Sequence, residues 1–149
     1  MRIKSQSICH VLTVVFCFST SFSNNAAATE RINWHAYEEG MALGTTENKK
    51  VLLHFYANWC FYCRKMAKET LQDPSVVSYL NENFISIRVD CDKDRRTASR
   101  YGIRALPSTW FLTEKGERIG NLPGYLPAGR LLQILKQITA GAPDNRQNK

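Results

Sequence analysis

The sequence predicts a single α/β domain, on three observations. First, Val51-Leu52-Leu53-His54-Phe55-Tyr56-Ala57 is apolar on both parities except at His54, the pattern of a central strand covered on both faces. Second, this run leads within a few residues into Arg64-Lys65-Met66-Ala67-Lys68-Glu69-Thr70-Leu71, an ordinary helical stretch. Third, further strand patterns at Phe84–Asp90 and Ser108–Gly120 are separated and followed by helical ones, and interleaving of that kind lays helices against a sheet.

The N-terminus reads as a secretory signal over residues 1–28. Arg2 and Lys4 precede an apolar stretch from Ile8 to Phe18, a polar Ser/Thr/Asn patch follows, and Ala26-Ala27-Ala28 supplies small residues for cleavage after Ala28. The apolar part is short beside the roughly 20 residues of a membrane span. An uncleaved segment holding the protein at the membrane is the alternative. Phe16 before Cys17 is bulky where a lipoprotein signal has a small residue, so no lipid anchor is expected. Residues 29–33 are expected to be a short linker, 34–141 the folded domain and 142–149 a polar, disordered tail.

Removal of the signal changes the counts. The net charge of +7 loses Arg2 and Lys4 and becomes +5. Lys and Arg are interspersed with acids, as in Arg64–Glu69 and Glu114–Arg118, and the densest cluster, Lys93-Asp94-Arg95-Arg96 with Arg100, reads as a solvated helix start. That pattern excludes nucleic acid as a partner. Of five cysteines, Cys60, Cys63 and Cys91 remain. An odd count argues against a disulfide-stapled scaffold and for one working pair with one spare thiol. About 120 residues suffice for one domain with its own core.

In order along the chain, Trp34, Tyr37, Met41 and Leu43 recur at helical spacing and predict an amphipathic helix over 34–49, with Trp34 in the core. After the central strand, the helix that follows the cysteine pair should break near Gln72. Asp73 suits an N-cap and Pro74 the first position of a new helix, with Val76, Val77 and Leu80 inward. Phe84–Asp90 alternates apolar and polar residues as a strand. Cys91 follows it as a free, partly protected thiol. Lys93–Tyr101 is a short helix stopped by Gly102. Ser108–Thr113 and Glu117–Gly120, joined through Glu114-Lys115-Gly116, form a hairpin. Between Gly124/Pro127 and Gly141/Pro143 lies a terminal helix with an apolar stripe of Leu131, Leu132, Ile134, Leu135 and Ile138.

The chemistry concentrates in Ala57-Asn58-Trp59-Cys60-Phe61-Tyr62-Cys63, where the strand hands over to the helix. Exposed amides and the partial positive end of a helix favour a thiolate. One turn of spacing brings the second sulfur within bonding reach. A Cys-x-x-Cys so placed is a reversible disulfide. The competing readings are half of a zinc site, which wants a second pair of ligands that the chain lacks, and a purely structural disulfide.

His54-Phe55-Tyr56-Ala57-Asn58-Trp59-Cys60-Phe61-Tyr62-Cys63-Arg64-Lys65 resembles the active-site stretch of the thioredoxin superfamily, and Ile103-Arg104-Ala105-Leu106-Pro107-Ser108 resembles its cis-proline loop. Lys68 to Val76 is similar to the region after the active-site helix in the periplasmic thioredoxin-like domain of transmembrane thiol:disulfide interchange reductases. The resemblance implies a thioredoxin-like three-layer sandwich: a mixed central sheet with helices on both faces and the site at the carboxyl end of the central strand. It implies an enzyme, an exported and periplasmic thiol:disulfide oxidoreductase that reduces protein disulfides. An oxidase or isomerase is the alternative within that chemistry, and a thiol-based metal or partner-binding module using Cys60, Cys63 and Cys91 or His54 the alternative outside it.

Under this reading Cys60, the more exposed sulfur, attacks, and Cys63, one turn deeper, resolves the mixed disulfide. Trp59, Phe61, Tyr62, Leu106 and Pro107 form an apolar substrate rim, with the Leu106–Pro107 bond cis as in the family. Expected partners are protein or peptide thiols and disulfides and a membrane-bound electron donor, and no metal or organic cofactor is required. The family commonly has a buried aspartate where this chain has His54. An aspartate's role therefore does not transfer, and three readings stay open: a core histidine hydrogen-bonded to backbone, a neutral imidazole accepting a proton, and an imidazolium favouring the thiolate, which burial opposes.

Overall fold

The computed structural model describes residues 30–141. The expected signal at 1–28 and the expected tail at 142–149 lie outside the described residues. Strands β1 (Trp34–His35), β2 (Lys50–Tyr56), β3 (Phe84–Asp90), β4 (Ser108–Leu112) and β5 (Arg118–Pro123) alternate with helices α1 (Tyr37–Glu47), α2 (Phe61–Glu69), α3 (Pro74–Asn83), α4 (Arg95–Arg100) and α5 (Ala128–Thr139). The strands form one sheet in the order β1-β3-β2-β4-β5. The first three are parallel, β4 runs antiparallel to β2, and β5 antiparallel to β4, which completes a mixed sheet.

Burial explains why β2 is apolar on both parities. Val51, Leu53 and Phe55, all fully buried, face α1 and α4, where Tyr37, Met41, Leu43, Ala98 and Tyr101 pack. Leu52 faces the other way, onto Met66 of α2, Val76, Val77 and Leu80 of α3, and Leu131, Ile134 and Leu135 of α5. Two cores on two faces of one sheet make the three layers expected.

The start of the domain differs from its sequence reading. Trp34 does not begin a helix: Trp34 and His35 pair with Ser86 and Ile87 as an edge strand, and α1 starts after Ala36. The cause is that Trp34 packs against the cluster of α2, α3 and α5, whereas Tyr37, Met41 and Leu43 pack on the opposite face. One helix stripe cannot serve both. Instead α1 settles on the sheet through Gly40 over Ile87 and Gly44 over Val51, where any Cβ would collide. The expected linker 29–33 is also docked where described: Ile32 is buried in the core, and Asn81 of α3 holds the Asn33 N–H at 3.0 Å and the Arg31 carbonyl at 2.9 Å.

Farther along, sequence and structure agree closely. Asp73 caps α3, accepting from the N–H groups of Ser75 and Val76 at 3.0 and 3.1 Å, and Pro74 opens the helix. The break after α2 spans Thr70–Asp73. β3 is buried at both parities apart from half-buried Arg88, since it lies between β1 and β2 rather than at an edge. The β4–β5 hairpin closes through the Thr113 N–H to the Glu117 carbonyl at 2.8 Å, with Gly116 at φ 83°. Leu131, Ile134, Leu135 and Ile138 form the buried stripe of α5, and Leu132 is half-buried beside it.

Candidate active site

β2 ends at Tyr56, and the chain turns into α2 within four residues, closed by the Cys60 N–H on the Ala57 carbonyl at 3.2 Å. Cys60 is the N-cap of α2: its Sγ accepts from the Cys63 N–H at 3.1 Å. The two cysteines are joined as a disulfide, with Cα atoms 5.2 Å apart. A sulfur placed as an N-cap takes the place of the usual capping oxygen. Once reduced, its thiolate receives an amide donor and the positive end of the helix together. Exposure separates the sulfurs less than the sequence suggested, since Cys60 is 6% and Cys63 3% accessible. The asymmetry lies in the cap, which only Cys60 occupies, and in a cleft of about 360 Å³ that Cys60 lines with Trp59, Cys91 and Leu106.

Around the pair stand Trp59, Phe61 and Tyr62, which are the exposed large hydrophobic residues among those described. Phe61 and Tyr62 meet edge to face at 5.4 Å, and the Trp59 indole N–H donates to Asp92 at 3.0 Å. Leu106 packs on the cluster of Ala57, Cys60 and Cys63. The Leu106–Pro107 peptide is cis, and Pro107 is buried, its carbonyl accepting from Gly124 N–H at 2.7 Å.

His54 lies in β2 on the α2 side of the sheet, 1% exposed. Its Nδ1 is 3.2 Å from the Thr109 hydroxyl, the side chain directly across the antiparallel pair. The core-histidine reading is thus corrected in its partner, a hydroxyl rather than a backbone group. The imidazole lies parallel to the Tyr56 ring at 6.4 Å, and the Arg88 guanidinium sits 3.9 Å from that ring's centre. Burial first, and then the Arg88 charge, lower the His54 pKa to about 3. His54 is therefore neutral at physiological pH.

Cys91 follows β3 as a free, half-buried thiol whose N–H donates to the Tyr56 carbonyl at 2.9 Å. Burial and the adjacent Asp90 and Asp92 carboxylates push its pKa up to about 11. Among the described residues no group of three or more His, Cys, Asp or Glu is placed to hold a metal ion, and no helix is long and apolar enough to cross a membrane. Sequence reasoning missed the Trp59–Asp92 tie and the Arg88–Tyr56 stack. Both join residues about thirty positions apart, and only the parallel pairing of β2 with β3 brings them together.

Known proteins share this geometry. Residues 37–139 match the model of the family described as thioredoxin-like domain. The chloroplastic thioredoxin-like protein HCF164 of Arabidopsis thaliana is 30% identical over 106 residues, 70% of this chain and 38% of that protein. The thiol:disulfide interchange protein DsbD of Photorhabdus laumondii is 27% identical over 111 residues, 71% of this chain and 19% of its own length. The chain thus spans well under half of these relatives. A solution structure of a thioredoxin from Thermus thermophilus superimposes with a TM-score of 0.68 at 28% identity, covering 74% of this chain and 89% of that one. The oxidised C-terminal domain of DsbD from Neisseria meningitidis gives 0.57 at 28% identity, covering 67% and 90%.

Proposed function

Because this chain belongs to the thioredoxin-like domain family, whose members are thiol:disulfide oxidoreductases, we propose that it is an exported reductase of protein disulfides. It works by dithiol–disulfide exchange through Cys60 and Cys63. The observation that carries this reading is the cap: a sulfur that accepts the Cys63 N–H at the start of α2 is poised as a thiolate. In the reduced protein the Cys60 thiolate attacks one sulfur of a substrate disulfide. A mixed disulfide forms, the substrate S–S bond breaks, and the departing substrate thiolate takes a proton. The Cys63 thiolate then attacks Cys60 Sγ, forming the Cys60–Cys63 disulfide and releasing the second substrate thiol. The substrate gains two electrons and two protons, and a membrane-bound electron donor returns the pair to its dithiol form.

Trp59, Phe61, Tyr62 and Leu106 form the surface on which a protein or peptide partner rests, with Pro107 buried behind Leu106, and the scheme uses no metal or organic cofactor. Residues 1–28 direct the domain at 34–141 to the periplasm, the compartment named in the resemblance to interchange reductases. His54 contributes little as a base, because a group with a pKa of about 3 holds a proton poorly near neutrality. Its role is to fill the core between Trp34, Tyr56 and Thr109 as a neutral, hydrogen-bonded ring.

One observation favours a second reading. The same cap stabilises the reduced thiolate, and stabilising the reduced form makes a dithiol more oxidising. Titration of the purified protein against a glutathione or dithiothreitol couple decides: a potential of about −270 mV fits a reductant and about −120 mV an oxidase. Failure to turn over any disulfide substrate would leave only a thiol-based binding module.

A further inference from the structure

The cleft beside Cys60 is lined by two kinds of group. Trp59, Ala98, Ile103, Ala105 and Leu106 give it apolar walls, while Arg95 at the start of α4 and Arg104 in the loop before Pro107 stand at it as exposed cations. Among the described residues neither guanidinium takes part in an ion pair. Three acids stand around Cys91 and keep their charge, but each is tied into a local contact. Asp92 accepts the Trp59 indole N–H. Asp94 caps α4 through the Thr97 N–H at 2.9 Å. Asp90 accepts the Asp92 N–H at 3.0 Å and lies 3.9 Å from Lys93 Nζ. The cleft therefore carries two arginines without ion pairs among apolar side chains and beside Cys60, with carboxylates around Cys91 as the opposing charge.

We propose that this cleft selects disulfides set in acidic sequence: Arg95 and Arg104 bind carboxylates flanking the substrate cysteine while its apolar neighbours rest on Leu106 and Trp59. The proposal rests on the exchange function above and names its preferred substrate. Charges at a rim act mainly on the rate of encounter and are screened by salt, so the preference is strongest at low ionic strength. Cys91, also in the cleft, stays a neutral thiol near pH 7, so the preference is set by Arg95 and Arg104 against Asp90, Asp92 and Asp94 around Cys91.

The test uses the reduced protein and two peptides with the same disulfide, one carrying two Glu and the other two Lys beside the cysteines. Oxidation of the Cys60–Cys63 pair is followed in a single turnover, so no electron donor is needed. The Glu peptide is expected to react about tenfold faster at low salt, with the gap closing toward molar salt. An Arg95→Glu/Arg104→Glu variant should reverse the order. Should that variant misfold, Arg95→Gln/Arg104→Gln should erase the preference, and Arg95→Lys/Arg104→Lys should keep most of it. Equal rates in the parent protein, or an undiminished preference in the neutralised variant, overturn the proposal and leave the exchange function standing. Absence of reaction with both peptides overturns the exchange function and this proposal with it.

Discussion

Cys60 and Cys91 stand just past the ends of two neighbouring parallel strands, β2 and β3, and their surroundings set their sulfurs apart. After β2 the chain turns directly into a nine-residue helix, and Cys60 becomes its cap, with an amide donor on the sulfur. After β3 it enters a turn with Asp90, Asp92 and Asp94 around Cys91. No helix begins on that sulfur, burial and the carboxylates oppose its ionisation, and the thiol is held near pKa 11. Reactivity therefore comes from the helix that the chain enters after the strand. Position at the carboxyl edge of an α/β sheet is shared by both sulfurs and does not separate them.

The largest effects are expected from removing one sulfur at a time. Cys60→Ser should lower exchange on the order of a thousandfold or more. Cys63→Ser should accumulate a mixed disulfide on Cys60 that added thiol releases. Mass spectrometry of the trapped species locates the bond, and a dominant adduct on Cys91 would invert the assignment.

Next in size is the contrast in ionisation. In the oxidised protein Cys91 is the free thiol among the described residues, so alkylation reports it directly. A rise in pKa from 9.0 to about 11 means about a hundredfold less thiolate than an ordinary cysteine at pH 7 to 8. The rate should climb about tenfold per pH unit up to roughly that value. Negative neighbours disfavour the thiolate, so Asp90→Asn with Asp92→Asn should speed alkylation. It should not restore ordinary reactivity, because burial is the larger cause.

A smaller effect is expected at Phe61 and Tyr62, which follow Cys60 on α2 and do not line the cleft that Cys91 shares. Phe61→Ala with Tyr62→Ala removes exposed rings, so folding stability should change little. KM for a protein disulfide should rise about tenfold, the equivalent of about 1.4 kcal/mol of contact, and kcat should move less. An equal loss in both constants would place these rings in the reacting geometry instead.

The least effect on exchange is expected at His54, and its signature is in stability. Its folded pKa of about 3 lies below the ordinary value near 6.5. The stability that comes from keeping it neutral is complete above about pH 6.5 and is lost as pH falls toward 3. The loss is about 1.4 kcal/mol per pH unit at most. Urea melts of His54→Asn across that window should show a flatter acid limb, with exchange at pH 7 altered less than tenfold. A large drop in the resolving step at neutral pH would restore proton transfer to His54.

Local patterns were legible where one interaction decides them. The both-sided apolar run of β2, the Asp73–Pro74 start of α3 and the Cys-x-x-Cys at a strand-to-helix junction each read correctly because neighbours in sequence do the work. Trp34 misled because helical spacing was satisfied by residues that pack on opposite faces of the sheet. Arg95 passed as part of a solvated helix start and Arg104 as part of the loop before Pro107, since nothing local shows that the two, nine positions apart, line one cleft. His54 was identifiable as the odd residue of its strand, but its Thr109 partner is set by the β2–β4 register.

The margins of the sheet bear on how a covalently bound partner leaves. β1 is only two residues long, and β5 is largely open to solvent and ends in Pro123, which has no N–H to offer. Margins that are short, or interrupted by proline, resist growth by another chain's backbone. A partner tethered through Cys60 in mid-reaction is thus denied an easy second hold along the sheet. Under the proposed exchange its grip is confined to the sulfur bond and the loops around it, so breaking that one bond frees it and no backbone pairing along the sheet is left to nucleate an aggregate.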